Sequence, residues 1–247
     1  MRAFENTIPE HLKKLNYVPP IIKSYENNTE DGNVHVWLDK FHGIPIWRFD
    51  MDGIQWMILD EKHGAASQFL SHYKLAYGHV ICTGLGFGTR EQWLATKPEV
   101  TKITVLEKYK DVIEYHESIG TEWSDKIEII HCDANEYQGS CDFLSIDHYE
   151  LDDAQSIINS VQKVSKNISC DSMWFWMLES WIRLGYIVNN PANVSIESSE
   201  ISYGGIYFLG GDENVLLENY ILIKKFLGLD KLPNLKLEEL TEYINAY

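Results

Sequence analysis

The sequence predicts an α/β fold of the Rossmann-like, doubly wound type, with a mostly parallel sheet and a small antiparallel β unit ahead of it. Three observations carry this reading. From residue 79 onward, short apolar strands alternate with helical segments at the spacing of βαβ units. The first of those strands runs directly into a glycine-rich turn, Thr83-Gly84-Leu85-Gly86-Phe87-Gly88-Thr89, which opens a helix. Between about 33 and 60, apolar and polar residues alternate with a period of two, and Asp52-Gly53 marks a hairpin turn.

The elements follow in order. Residues 1–30 are mixed in character and carry Pro19-Pro20, which predicts an irregular or partly helical lead-in. Val34, Val36 and Leu38, then Ile44, Ile46 and Phe49, then Ile54 to Leu59 supply the strands of the antiparallel unit. A helix is expected over 65–77. His79-Val80-Ile81-Cys82 is the first parallel strand, and its helix spans 89–96 and stops near Pro98. Ile103 to Leu106 is the second strand, followed by a helix over 110–119 with Gly120 at its C-terminal cap. Ile127 to Ile130 is the third and Phe143 to Ile146 the fourth. Asp153 is placed to cap a helix whose Ile157, Ile158, Val161 and Val164 share one face. Met173 to Leu178 is the fifth strand, apolar enough for burial on both sides. A late strand over 206–209 and closing helices over 216–227 and 237–246 complete the chain. This divides it into 1–65, an N-terminal segment with the β-hairpin unit, and 66–247, the Rossmann-like domain.

Composition narrows the function. The 247 residues are 45% hydrophobic, enough for one sizeable core, and carry 21 basic against 37 acidic groups for a net charge of −16. Such a surface repels phosphate backbones and anionic headgroups, which disfavours nucleic acid and membrane and suits a neutral or cationic small-molecule acceptor, an amine among them. Cys82, Cys132, Cys141 and Cys170 form no CxxC pair and have no zinc spacing, so buried, reduced thiols and no metal are expected. The N-terminus does not open as a signal peptide, and no apolar run approaches a membrane span. A cytoplasmic location follows as the expectation.

Four clusters carry the chemistry. In the glycine turn, bare backbone can bend tightly and approach a ligand closely. Its pattern is GxGxG at 84, 86 and 88; the third glycine of a dinucleotide fingerprint would fall at 89, which is Thr89. This favours an adenosyl ligand without a pyrophosphate. Glu107 ends the second strand, 19 residues after Gly88 (107 − 88), where a carboxylate accepts from both ribose hydroxyls. Cys132-Asp133-Ala134 follows the third strand, and Asp133 there can accept from an adenine amino group. Asp147-His148-Tyr149-Glu150 follows the fourth, where acidic, imidazole and phenol groups could hold an acceptor amine or take its proton.

Together these clusters resemble the class I S-adenosylmethionine-dependent methyltransferase superfamily, and within it the spermidine synthase (aminopropyltransferase) branch. Cys82 stands two before the first glycine, a position that is also non-acidic in that branch. Glu107-Lys108-Tyr109-Lys110-Asp111-Val112-Ile113 resembles its E-x-D-x-x-V-I segment, Asp147-His148-Tyr149-Glu150 its D-S-S-D, Glu179-Ser180-Trp181 its E-S-x-W, and Tyr203-Gly204-Gly205 its Y-P-G-G turn. Asp60-Glu61-Lys62-His63-Gly64-Ala65-Ala66 falls where the branch has D-E-F-x-Y-x-E, but without the amine-site tyrosine and glutamate. The resemblance implies a site for S-adenosylmethionine, or its decarboxylated form, built from Thr83, Gly84, Gly86, Gly88, Glu107, Asp133, Ala134 and Asp147, with Asp147, His148, Tyr149 and Glu150 on the acceptor side.

Three functions fit the residues. The first is methyl transfer to a small acceptor on a spermidine-synthase-like scaffold, which needs few dedicated catalytic groups. The second is aminopropyl transfer to a diamine, which Gly64 and Ala66 oppose. The third is a non-catalytic nucleoside-binding protein. The apolar stripe Leu216, Leu217, Tyr220, Ile221, Ile223, Phe226 and Leu227 fits either a homodimer interface or the edge of the chain's own sheet, the second being expected; Trp174, Trp176 and Trp181 are expected in the core.

Overall fold

A computed structural model describes residues 29–31, 33–41, 44–60, 76–149 and 154–176, together with positions 218, 221, 222, 225 and 226. Four strands form one sheet: β1 (Thr29–Asp31), β2 (Val34–Phe41), β3 (Ile44–Met51) and β4 (Ile54–Asp60). They pair antiparallel in sequence order. The hairpin expected at Asp52-Gly53 is there, with φ of 53° and 75° at its two central residues. Positive φ at both positions gives the twist that a two-residue loop needs. β1 was not legible: Thr-Glu-Asp has no strand character, and only pairing with β2 draws it into the sheet.

Five further strands form a parallel sheet: β5 (Gly78–Thr83), β6 (Val100–Glu107), β7 (Ile127–His131), β8 (Gly139–Ile146) and β9 (Ile168–Phe175). Their order is β7-β6-β5-β8-β9, so the chain winds outward from β5 in one direction and then returns past it to wind in the other. Helices α1 (Thr89–Ala95), α2 (Lys110–Ser118) and α3 (Ala154–Ser165) connect them. Val80 and Cys82 of β5 face a core shared with α1 and α2, while Ile81 between them faces the core beneath α3. The sheet is therefore covered on both faces, as the Rossmann-like expectation requires.

The expected α1 and α2 agree with the structure to within one residue, and Gly120 closes α2 with φ +67°. β8 and β9 depart more. β8 begins four residues ahead of the expected start, at Gly139, and β9 begins five ahead of it, at Ile168. Their leading halves are polar, Gly-Ser-Cys-Asp and Ile-Ser-Cys-Asp-Ser, and become strand because each completes the other's ladder, with Gly139 opposite Ile168. Of the helix expected over 65–77, only 76 and 77 are described, and neither is helical. The lead-in before 29, Asp153, the 179–181 and 203–205 motifs, the late strand and the last helix lie outside the described residues.

The antiparallel sheet braces the parallel one. Phe49 of β3 meets Phe87 edge-on at 5.4 Å between ring centres and Tyr115 of α2 at 6.0 Å. Asn33 donates to the Asp111 carboxylate at 2.9 Å, and Trp56 meets Tyr109 at 5.6 Å. Trp174 lies in the core as expected, and Trp176 packs against both apolar layers. Leu222 and Phe226 pack against the α3 face, with Phe226 6.1 Å from Phe175. Of the late apolar stripe Phe226 is thus packed within the chain and Ile221 is exposed, while its other members lie outside the described residues. No helix among the described residues is long and apolar enough to cross a membrane.

Candidate functional site

β5 is the strand from which the sheet winds both ways, so the space at its carboxyl end is the topological switch point where an open α/β sheet takes ligands. The glycine turn occupies it. Gly84, Gly86 and Gly88 have φ of 76°, 50° and 67°, a left-handed backbone at every second position. That conformation explains why glycine recurs with this period. At Gly84 a second reason applies: a Cβ would lie 2.5 Å from the backbone oxygen of Asp147.

Every side of the turn is braced. The Gly84 N–H donates to the Leu106 carbonyl at 2.9 Å, and the Leu85 N–H donates to Glu107 Oε2 at 2.8 Å. Phe87 is fully buried and pins the turn to the core. The Gly86 carbonyl accepts from His116 Nε2 at 2.8 Å; since a carbonyl only accepts, this nitrogen carries the proton, and Nδ1 accepts from the Thr121 hydroxyl at 3.0 Å. The carbonyls of Thr83 and Gly84 both accept from Arg90 Nη2, at 3.1 and 2.6 Å.

Arg90 and Glu91 were not singled out from the sequence. Arg90 is 4% exposed and Glu91 1%, and Arg90 Nε donates to Glu91 Oε1 at 2.7 Å. Arg90 Nη1 also approaches Asp147 Oδ2 at 3.8 Å, joining the ends of β5 and β8 electrostatically. Burial works against the Arg90 charge, but Glu91, Cys82 and Asp147 outweigh it and hold the guanidinium above its ordinary value. Burial pushes the Glu91 carboxyl up, and Arg90 pulls it back. Neighbouring residues of a helix usually point apart, so sequence spacing offered no sign of this pair. The one available signal was the brevity of the helix between the glycine turn and Pro98; all seven of its residues are buried.

Glu107 is 5% exposed and uses both oxygens on backbone donors, Oε2 on Leu85 and Oε1 on Tyr109 at 2.7 Å. Burial raises its carboxyl, offset in part by those two N–H groups. The Lys108 N–H also bears on this carboxylate, and of its roughly four lone-pair sites at least one stays open. Asp133 Oδ1 accepts from the backbone and side-chain nitrogens of Asn135, both at 2.8 Å, while Oδ2 faces Lys108 Nζ at 3.9 Å. Partial burial would raise the Asp133 carboxyl, but the Asn135 donors and the charges of Lys108 and Lys163 hold it below its ordinary value. Ala134 is buried in the α3 core.

The residues expected on the acceptor side divide. The Asp147 side chain is 29% exposed. Thr83 is wholly buried, accepts from the Asp147 N–H at 3.0 Å and lies 2.6 Å from His148 Nδ1. His148 Nε2 lies 2.9 Å from the Ser160 hydroxyl of α3, so both ring nitrogens are engaged inside the protein. Burial lowers His148 to about 4, helped by Arg90, Lys108 and Lys163 and opposed by Asp133, and the ring is neutral near pH 7. The Tyr149 hydroxyl turns back to donate to the Ile146 carbonyl at 3.1 Å. Glu150 lies outside the described residues.

Burial likewise lowers His116 to about 4, against the pull of its bond to Gly86. A folded-state pKa below the ordinary 6.5 means the unfolded chain takes up protons first as pH falls. Stability is then complete above about pH 6.5 and declines as pH falls toward 4, by on the order of 3 kcal/mol per ring. Urea denaturation at pH 7.5 and 5.0 should show this loss, and His116→Gln should reduce its slope. An unchanged slope in the variant would remove His116 from this role.

The thiols differ from expectation. All four are free, but only Cys82 is buried; Cys132, Cys141 and Cys170 are half-buried because they sit at strand ends, where cover is incomplete.

No protein-family model and no curated protein matches this chain. Solved structures do. Spermidine synthase in complex with the transition-state analogue AdoDATO is 14% identical over 58% of this chain and 52% of its own, with a TM-score of 0.40. Spermidine synthase from Thermotoga maritima is 15% identical over the same shares, with a TM-score of 0.39. The plantazolicin methyltransferase BamL, in complex with SAH and a triazolic desmethylPZN analogue, is 16% identical over 67% of this chain and 60% of its own, with a TM-score of 0.34. The chain spans about half the length of the spermidine synthases it matches.

Proposed function

We propose that this protein is a S-adenosylmethionine-dependent methyltransferase acting on a small-molecule acceptor by in-line transfer from the sulfonium. One observation carries the reading: a left-handed GxGxG turn sits at the switch point of the parallel sheet, with carboxyl groups at three neighbouring strand ends. Around the turn, the single guanidinium of Arg90 stands among the carboxyl groups of Glu91, Glu107 and Asp147. That balance suits a cationic sulfonium and opposes a pyrophosphate.

The residues present fit such a ligand. Bare backbone at Gly84, Gly86 and Gly88 would lie along its amino-acid portion, the acceptor capacity left on Glu107 would take a ribose hydroxyl, and Asp133 would accept from the adenine amino group. When bound, the ligand supplies a methyl group already activated by the sulfonium. The protein's task is then to hold donor and acceptor in line and to exclude water. Asp147 is the described group best exposed to hold a cationic acceptor or receive its proton. His148, neutral and bonded at both nitrogens, would act by fixing the segment that carries Asp147.

A second reading, aminopropyl transfer from decarboxylated S-adenosylmethionine to a diamine, draws on the same acids and on the net charge of −16. The two donors differ by one carboxylate, so side-by-side calorimetric titrations separate the readings. Tighter binding of the intact form is the expected result; preference for the decarboxylated form would promote the second reading, and binding of neither would end both. In the same assay Glu107→Gln should bind about ten- to hundredfold more weakly. Its amide nitrogen cannot accept from a ribose hydroxyl, and a hydroxyl left unpaired in a buried site costs ~1–3 kcal/mol.

A further inference from the structure

At the amino ends of β5, β8 and β9, on the edge opposite the glycine turn, lies an open cavity of about 390 Å³. Cys141 and Cys170 both line it, with His79, Asp142 and Asp171. The two cysteines are direct neighbours, Cα partners in the β8–β9 register. In-register residues of parallel strands leave the sheet on the same side, and both thiols pack against the apolar layer beneath α3. Both are half-buried and unbridged.

Their spacing decides what they can do. Adjacent strands lie ~4.8 Å apart, so two thiols in matching rotamers stand about that far from each other. A disulfide needs Cβ atoms roughly 3.5–4.5 Å apart and sulfurs in bonding contact, closer than parallel side chains offer. On the scale of a zinc–thiolate bond, ~2.3 Å, two metal–sulfur bonds laid end to end span ~4.6 Å. A linear two-coordinate ion therefore fits the strand spacing better than an S–S bond does. One oxygen of each nearby carboxylate is engaged: Asp142 Oδ2 accepts from the His79 N–H at 2.6 Å, and Asp171 Oδ2 from the Tyr77 hydroxyl at 3.4 Å. Among the described residues no group of three or more His, Cys, Asp or Glu could hold a metal, so any ion here would have the two thiols alone as its side-chain ligands.

The geometry points to a site for one soft monovalent cation of the Cu(I) type, held linearly between Cys141 and Cys170. Soft thiolates select such ions over Mg²⁺ or Ca²⁺. Both thiols are protonated without the ion, since burial raises Cys170 and pushes Cys141 up to about 12. On binding, two S–H bonds break, two metal–sulfur bonds form, and two protons pass to solvent. The negative chain and the two aspartates draw cations toward this edge.

The test is an anaerobic titration of the full chain with Cu(I) against a competing chromophoric chelator. Wild type should take one ion per chain from the chelator, Cys141→Ser and Cys170→Ser should each lose that uptake, and Cys132→Ser should keep it. Iodoacetamide labelling read by peptide mass spectrometry needs no variant: Cu(I) should protect Cys141 and Cys170 together and leave Cys132 reactive. Unchanged uptake in Cys141→Ser or Cys170→Ser, or equal protection of Cys132, would overturn the site. So would a Cys141–Cys170 disulfide that forms in air in a protein taking up no ion.

Discussion

Gly84→Ala is expected to abolish the proposed nucleoside binding and to lower the melting temperature by roughly 10 °C. Two costs combine. A residue with a Cβ at φ +76° pays ~1–2 kcal/mol for the left-handed backbone. The new Cβ would also lie 2.5 Å from the Asp147 oxygen, so the end of β8 must move, an overpacking cost of ~1–3 kcal/mol. At about 2–4 °C per kcal/mol for a chain of this size, the sum gives the stated shift. The moving segment carries Asp147 and is tied through Thr83 and His148, so the site distorts with the fold. Gly53→Ala is the control. Its φ is +75°, but nothing lies within 4 Å of its Cβ, so it should cost only the backbone part and leave binding intact. Thermal melts and calorimetry on both variants check this; equal effects would mean that close approach at Gly84 is irrelevant.

Arg90→Met should destabilise the protein by ~3–5 kcal/mol, because it leaves the Glu91 carboxyl buried without its countercharge and removes the donor to two carbonyls. The double variant Arg90→Met/Glu91→Leu should recover much of that loss, since two apolar side chains replace a buried pair at little net cost. Ligand affinity should not recover with it, because the double variant still lacks the group that approaches Asp147 at 3.8 Å. Urea denaturation combined with titration separates the two effects. If the double variant were as unstable as the sum of the single ones, the pair would not be acting as a unit.

Much of this was legible from the residues in order. The alternation of strands and helices after 79, the GxGxG turn and the carboxylates at 107, 133 and 147 all lie in local patterns, because periodicity and turn chemistry are properties of neighbouring residues. The Asp52-Gly53 hairpin is of the same kind. What was not legible depends on residues far apart in the chain meeting in space. β1 and the polar halves of β8 and β9 are strands only because a partner's ladder completes them. Arg90 and Glu91 stand out in no local pattern, yet both are buried. His116, 30 residues from Gly86, fixes that turn, and Ser160 meets His148 across the end of the sheet.

The sequence alone therefore determined the class of fold, the place of the glycine turn within it and the acids that border it. Only the tertiary structure decided which side chains face outward at that edge. Asp147 remains partly exposed, while Thr83, Glu107 and His148 are drawn inward to satisfy buried backbone and side-chain groups. The reason is physical: a buried polar group must find a partner, and that partner is set by packing across the sheet, where sequence distance has no bearing.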